Sequence, residues 1–166
     1  MSAGELQTLW LPQRFPGLNE ITNANRTHWT KGAKQKKTLT FAVSYKALEV
    51  GLKPVTSAVD LTFVWYEPNQ KRDLDNISAG AKFILDGLVK AKILPTDGQK
   101  CVRTIRHALI GEDFRDGLVG VRVEIYERSR GSDLPWEVIP KPAGEREYVV
   151  TVPSNPKREI RRKVVG

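Results

Sequence analysis

Four aspartates and a lysine are spaced along residues 71–97 as a candidate reaction centre. The segment KRDLDNISAGAKFILDGL, residues 71–88, begins with Asp73 and Asp75 and runs into a helical pattern of apolar residues. At about 100° per residue, Lys82 and Asp86 fall within about 20° of Asp75, so these three residues share one helix face if the helix starts early enough to include Asp75. Asp97 follows in the next turn and reaches the same end of the sheet if the helix packs back.

This set of residue types suits phosphodiester hydrolysis. Asp73 and Asp75, if extended, point to the same side of the chain. Magnesium prefers oxygen ligands and usually takes one or two carboxylates together with waters and phosphate oxygens. A cluster of three carboxylates would hold the ion, which lowers the pKa of a water, while the ammonium of a lysine supports the developing charge or the attacking water.

Simpler roles for the same residues stay open. Asp75 or Asn76 would cap a helix that begins near residue 77, and Asp73 would pair with Lys71 or Arg72. Lys82 and Asp86 would form a solvent-facing pair one helical turn apart. Asp97 before Gly98 is an ordinary turn sequence.

The surrounding pattern predicts a mixed α/β sheet protein with two main helices. Strands are predicted at 5–14, 55–67, 101–111 and 117–127, where Val119, Val121, Val123 and Ile125 alternate most cleanly. Helices are predicted at 33–50 and from the 71–88 segment to about Lys92. Residues 17–37, rich in Asn, Thr, Gly and Lys, are predicted to form a basic loop. Residues 1–127 are predicted to form the main domain, followed over 128–166 by a linker, a possible short strand and a basic tail.

Composition narrows the class of protein. The 166 residues carry 27 Lys and Arg against 19 Asp and Glu, a net charge of +8. We expect a polyanionic partner, although charge alone fits equally well a basic protein that simply stays soluble. One cysteine and two histidines leave no disulfide and no Cys/His zinc site. We expect no membrane span, no signal peptide and therefore a cytoplasmic protein. The sequence has no glycine-rich phosphate loop, so no nucleotide cofactor is expected.

The motifs RDLDN (72–76), KFILDGL (82–88) and DGQ (97–99) resemble the RusA family of phage and prophage Holliday-junction resolvases. The resemblance covers roughly residues 9–126. It implies a RusA-like homodimer that cuts branched, four-way DNA with Mg²⁺, for which Mn²⁺ can substitute. By motif position it implies metal ligands at Asp73, Asp75 and Asp97 and a catalytic lysine at Lys82, with Asp86 and Asn76 in support. Two positions depart from the family pattern: Lys82 lies three residues further along than usual, and Thr96 stands where an aspartate is usual.

A second group of residues is predicted to contact DNA. An aromatic residue interleaved with cations suits phosphate contacts and stacking on an unpaired base. The set consists of Asn25, Arg26, Trp29, Lys31, Lys71 and Arg72. The alternatives to a junction-cutting enzyme are a non-catalytic DNA-binding protein and a metal-dependent nuclease of another structure specificity.

Overall fold

A computed structural model describes residues 5–110 and 118–129 in full, and the backbone of residues 146–151 and 159–164. The chain divides into two compact units, Met1–Ser132 and Asp133–Gly166.

The first unit contains a four-stranded mixed sheet in the order β1-β4-β2-β3. Its strands are β1 (Glu5–Leu11), β2 (Val59–Tyr66), β3 (Val102–Ile110) and β4 (Gly120–Glu127). Strand β4 is antiparallel to both β1 and β2, whereas β2 and β3 are parallel. Parallel neighbours need a crossover connection, which the helical segment carrying the candidate residues supplies. The predicted mixed α/β architecture is confirmed.

The described ranges contain four helices where two main ones were predicted. They are α1 (Leu18–Thr27), α2 (Trp29–Glu49), α3 (Leu74–Ser78) and α4 (Ala81–Lys90). The prediction of a basic loop over 17–37 is therefore wrong. Residues 18–27 are helical, and α2 begins four residues before the predicted start at residue 33. Helices α1 and α2 are separated at His28, whose backbone is extended (φ −153°, ψ 111°).

The core lies between the sheet and helices α2 and α4. Alternate residues of β2 and β4 are buried on this side, among them Leu61, Phe63 and Val123. Helices α2 and α4 cross closely at Gly87, where an added Cβ would lie 2.5 Å from the Cβ of Val43. This contact fixes α4 against α2, and with it the helix face that carries Lys82 and Asp86.

The second unit contains two antiparallel strands, β5 (Arg146–Thr151) and β6 (Glu159–Val164). Strand β5 overlaps the stretch YVVTVP that suggested a short strand, and β6 lies in the stretch predicted as a basic tail. Most of the predicted linker lies outside the described residues. The predicted boundary after residue 127 precedes Arg128, whose guanidinium forms a buried ion pair with Asp60 of β2 (2.7 Å). Arg128 is thus part of the first unit.

None of the helices in the described ranges combines the length and apolar character needed to cross a bilayer.

Candidate functional site

Asp75, Lys82 and Asp86 lie on one nearly continuous helical segment formed by α3 and α4. Ala79 and Gly80, between α3 and α4, keep right-handed helical backbone angles (φ −59°, ψ −25° and φ −62°, ψ −21°). Gly80 allows this segment to pass close to Phe15 and to Trp65 of β2, because an added Cβ would lie 2.8 Å from the Cβ of Phe15 and 3.3 Å from the ring of Trp65. Asp75 and Lys82 are therefore about two turns apart along one stripe, with a rise of about 10 Å between them.

Lys82 lies at the centre of a cluster of opposite charges. Its Nζ is 2.8 Å from Asp86 Oδ1 and 2.7 Å from Asp97 Oδ2. On the other side of Asp86, Nζ of Lys36 in α2 lies 3.1 Å from Asp86 Oδ2. This contact is an ion pair, but its geometry does not meet that of a hydrogen bond. We call Lys36, Lys82, Asp86 and Asp97 the Lys82 cluster. It joins α2, α4 and the turn after α4.

The turn after α4 returns along the helix and places Asp97 beside Lys82. The amide of Leu94 donates to the carbonyl of Leu88 at 3.3 Å, and Ile93 and Leu94 are buried. Asp97 was expected near the other candidate residues only if the chain packs back after the helix, and the contact between Lys82 and Asp97 shows that it does. The i,i+4 pair between Lys82 and Asp86, considered above as the simpler role, is also formed.

The contacts within the cluster favour the charged forms of Lys82 and Asp97. Hydrogen bonds to Asp86 and then Asp97 raise the pKa of Lys82, and the bond from Lys82 lowers the pKa of Asp97. Since Lys82 is more than half exposed, solvent screens these interactions and their energy is small. An ammonium with a raised pKa is a hydrogen-bond donor and a source of positive charge, and it is unsuited to act as a base.

Asp73 and Asp75 do not lie in an extended segment, so that part of the sequence argument is wrong. Asp73 is the N-cap of α3, with an extended backbone (φ −74°, ψ 157°), and Asp75 lies in the first turn. The side chain of Asp73 makes no capping hydrogen bond. The predicted pairing of Asp73 with Lys71 or Arg72 is not formed: both Asp73 and Asp75 are exposed, and neither carboxylate bonds to any residue in the described ranges.

The two aspartates are unusual in this respect. Among the carboxylates that the structure describes, Glu5 is the only other one without a hydrogen bond or ion pair. The remaining ones contact cations or backbone amides and are Glu20, Glu49, Asp60, Glu67, Asp86, Asp97, Glu124 and Glu127. Asp73 and Asp75 are therefore accessible oxygen ligands in a basic protein.

The predicted three-carboxylate metal site is not preassembled. Within residues 5–110 and 118–129, no three His, Cys, Asp or Glu side chains are grouped so that they could hold a metal ion. Asp97 is instead bonded to Lys82, whereas Asp73 and Asp75 lie at the start of α3. The arrangement fits an ion held by one or two carboxylates and completed by waters and phosphate oxygens, as is usual for magnesium.

Arg72 is placed for a structural role and not for contact with DNA. Its guanidinium forms a bidentate pair with Glu67, with Nε 2.9 Å from Oε2, and Nη1 donates to the carbonyl of Phe15 at 2.9 Å. The side chains of Arg72 and Glu67 are 9% and 7% exposed. Nη1 is also 3.4 Å from Glu20. The neighbouring Lys71 is exposed, and its side chain forms no bond with the residues the structure describes.

Asn76 links α3 to α1. Its Oδ1 accepts a hydrogen bond from the backbone amide of Asn19 at 3.2 Å, in the first turn of α1. The N-cap of α1 is Gly17, which has no side chain to cap the helix, and a Cβ there would lie 2.5 Å from Asn76 Oδ1. Asn76, which belongs to α3, therefore accepts the hydrogen bond from the first turn of α1 that an N-cap side chain normally accepts. The predicted cap at this position exists, but it acts on a different helix.

The remaining predicted DNA-binding residues are exposed on α1 and α2. Trp29 is 79% exposed, the most exposed of the large apolar side chains in the described ranges. Arg26 lies in the last turn of α1, and Lys31 lies in the first turn of α2. Asn25 packs against α2, because a Cβ at Gly32 would lie 2.2 Å from its Oδ1. The side chain of Asn25 therefore helps to close the corner between the two helices.

Sequence reasoning missed Lys36 and the buried pair between Arg72 and Glu67. Lys36 had a weak signal, since it belongs to the acid-free basic stretch between Glu20 and Glu49. Its contact with Asp86 depends on how α2 packs on α4, which the local sequence does not specify. The spacing of Glu67 and Arg72, five residues apart across a turn, carries no signal for a bidentate pair.

No protein-family model matches the chain, and no curated protein matches it at a significant level.

Proposed function

We propose that the protein is a metal-dependent, structure-selective DNA endonuclease that resolves four-way junctions, as the resemblance to the RusA family implies. The observation that carries the proposal is the pair of accessible carboxylates, Asp73 and Asp75, in a chain of net charge +8. Asp75 precedes Lys82 on the same helical stripe, and Asp73 is the N-cap of that helical segment. Exposed acids repel the phosphates of DNA unless a bound cation reverses their effect.

In this proposal Asp73 and Asp75 hold a divalent cation together with phosphate oxygens of the substrate. The cation, Mg²⁺ or Mn²⁺, would lower the pKa of a water and neutralise charge at phosphorus. Lys82 donates hydrogen bonds to the phosphate oxygens on which charge develops. Asp86 and Asp97 hold the Lys82 ammonium in position until the substrate arrives. By its motif position Asp97 would be a third ligand, and its Oδ2 is the oxygen that accepts from Lys82.

The substrate class requires two reaction centres. A symmetric homodimer would present identical sites to opposing strands of a junction, so that two paired nicks release linear duplexes. We propose a cytoplasmic location, because the DNA substrate of such an enzyme lies in the cytoplasm of phage-infected or prophage-bearing bacteria.

The test is cleavage of a synthetic four-way junction with and without Mg²⁺. Asp75→Asn should abolish product in Mg²⁺, while junction binding without divalent ions stays equal or becomes tighter, because a repulsive charge is lost. Glu5→Gln is the matched control, since it also removes an exposed, unpaired carboxylate, and it should cut at the wild-type rate. Wild-type cleavage by Asp75→Asn would refute the catalytic assignment. Parallel assays on flaps, linear duplex and single strands identify a nuclease of another specificity.

A non-catalytic DNA-binding protein is the second candidate. It is favoured by the contacts of Lys82, which engage Asp97, and by the lack of a three-ligand group in the described ranges. This candidate predicts that the wild-type protein shifts the junction in a gel but yields no product at any concentration of Mg²⁺ or Mn²⁺.

A further inference from the structure

An open groove runs between the N-terminal half of α2 and the segment before α1. Its volume is about 400 Å³, which is in the range of ligand pockets and sufficient for one nucleotide unit of a strand. The lining residues are Arg14, Pro16, Glu20, Lys31, Lys34, Gln35, Thr38 and Leu39. We call this feature the α2 groove.

The charge of the α2 groove comes from two lysines. Arg14 and Glu20 neutralise each other through two hydrogen bonds of 3.0 and 2.6 Å. The hydrogen bond from Arg14 lowers the pKa of Glu20, so both side chains stay ionised and their charges cancel. Lys31 and Lys34 are exposed, and neither has an ion pair within the described ranges. The groove therefore offers two available ammonium groups to an anion.

The neutral lining residues suit a nucleic-acid strand. Gln35 and Thr38 supply side-chain donors, and Pro16 and Leu39 supply apolar surface. Phosphates of the DNA backbone are commonly bound by lysines together with such neutral polar side chains. An ordinary anionic metabolite would need a more enclosed site to be held with similar affinity.

The α2 groove lies on the opposite flank of α2 from the Lys82 cluster. Residues 31, 34, 35 and 38 recur at helical spacing and define one face of α2. Lys36, which contacts Asp86, is about 150° around the helix from the centre of that face. The two sites are therefore separated by about one helix diameter, roughly 10–12 Å. A phosphate in the groove cannot be the one that lies at Lys82.

We propose that the α2 groove binds the DNA backbone at a phosphate other than the one placed at Lys82. This inference rests on the proposed function for its choice of DNA as substrate. The groove and the Lys82 cluster then contact the DNA at two separate phosphate positions, with the N-terminal half of α2 between them.

The test counts phosphate contacts through the salt dependence of binding. The groove variant is Lys31→Gln/Lys34→Gln, and the matched control is Lys53→Gln/Lys90→Gln, which removes two exposed, unpaired lysines elsewhere. Affinity for a fluorescent four-way junction and for a linear duplex is measured by anisotropy without divalent cation, from 50 to 200 mM salt. Each lost contact should lower the slope of log K against log salt by about 0.9.

The expected result is a slope lower by about 1.8 in the groove variant, so that the wild type loses about 12-fold more affinity than the variant over this salt range. The control should keep the wild-type slope. Equal slopes in the two variants would overturn the inference, and so would a mononucleotide or inorganic phosphate that binds the groove as tightly as DNA does per site. Because no cleavage is measured, failure of the proposed nuclease activity appears separately, as binding without product in Mg²⁺.

Discussion

Replacing Arg72 by glutamine tests whether the residue before Asp73 has a structural role or contacts DNA. The guanidinium is bound by Glu67 through two hydrogen bonds and donates a further one to the carbonyl of Phe15 at 2.9 Å. Removal leaves the Glu67 carboxylate, 7% exposed, without its cation. Breaking a buried pair in this way costs about 3–5 kcal/mol of unfolding free energy. For a chain of this length the melting temperature should fall by about 6–20 °C.

The assay is urea unfolding followed by tryptophan fluorescence, with Lys71→Gln as the matched neighbour. At a slope of about 2 kcal/mol per molar urea, Arg72→Gln should lower the midpoint by about 1.5–2.5 M. Lys71→Gln should change the unfolding free energy by less than about 0.5 kcal/mol. It should instead lower the salt slope of DNA binding by about 1.

A double variant separates loss of the pair from general damage. Arg72→Met/Glu67→Leu replaces both charges by apolar groups and should recover at least half of the lost stability, because no buried charge remains. The structural assignment of Arg72 is refuted if Arg72→Gln unfolds within 1 kcal/mol of the wild type. A double variant no more stable than Arg72→Gln would refute the reasoning about the uncompensated carboxylate.

Three further predictions concern single contacts. Asn76→Ala removes the capping acceptor of α1 and should cost about 1 kcal/mol of unfolding free energy in urea titrations. Burial lowers the pKa of His107, whose Nδ1 accepts from the indole of Trp65 at 3.0 Å, so the wild type should lose stability as the pH falls below about 6.5, and melting curves of His107→Gln should lack this loss. Lys82→Met should raise the pKa of Asp97 towards its usual value, which carboxyl NMR titration measures; an unchanged pKa would contradict the Lys82 cluster.

The sheet could be predicted from the sequence because its strands have a strong period of two. Val121, Val123 and Ile125 alternate with polar residues, and in β4 all three are buried on the core side. The strand order could not be predicted in this way. The strand order depends on β4 inserting between β1 and β2. The paired residues of β1 and β4 are more than a hundred positions apart in the sequence.

Helix α1 escaped prediction because what stabilises it is not local. No residue of α1 is buried, and only Ile21 packs against the core from its partly exposed face. Its first turn receives its cap from Asn76, which lies 57 residues away from Asn19. The sequence of α1, mostly polar and preceded by Gly17, therefore has the composition of a loop, although tertiary contacts stabilise it as a helix.

The candidate site was predictable as far as helix geometry determines it. The spacing of Asp75, Lys82 and Asp86 gave their shared stripe, and Lys82 and Asp86 do contact each other. The position of Asp73 and Asp75 relative to each other was not predictable, because the helix begins earlier than the motif suggests. Asp97 reaches Lys82 through the packing of the turn after α4, which depends on the buried residues Ile93 and Leu94.

The accessible acids at the start of α3 have a competing physical explanation, since carboxylates near a helix N-terminus interact favourably with its dipole. That explanation gives Asp75 a stability role of up to about 1 kcal/mol and no dependence on cations. A cation site instead predicts a crossover in junction affinity. Without divalent ions, Asp75→Asn should bind about threefold more tightly, because one negative charge about 6 Å from a phosphate costs about 0.7 kcal/mol in water. In Ca²⁺, a hard cation with the same preference for oxygen, the wild type should equal or exceed the variant. If Ca²⁺ leaves the ratio of the two affinities unchanged, Asp75 serves the helix and not an ion.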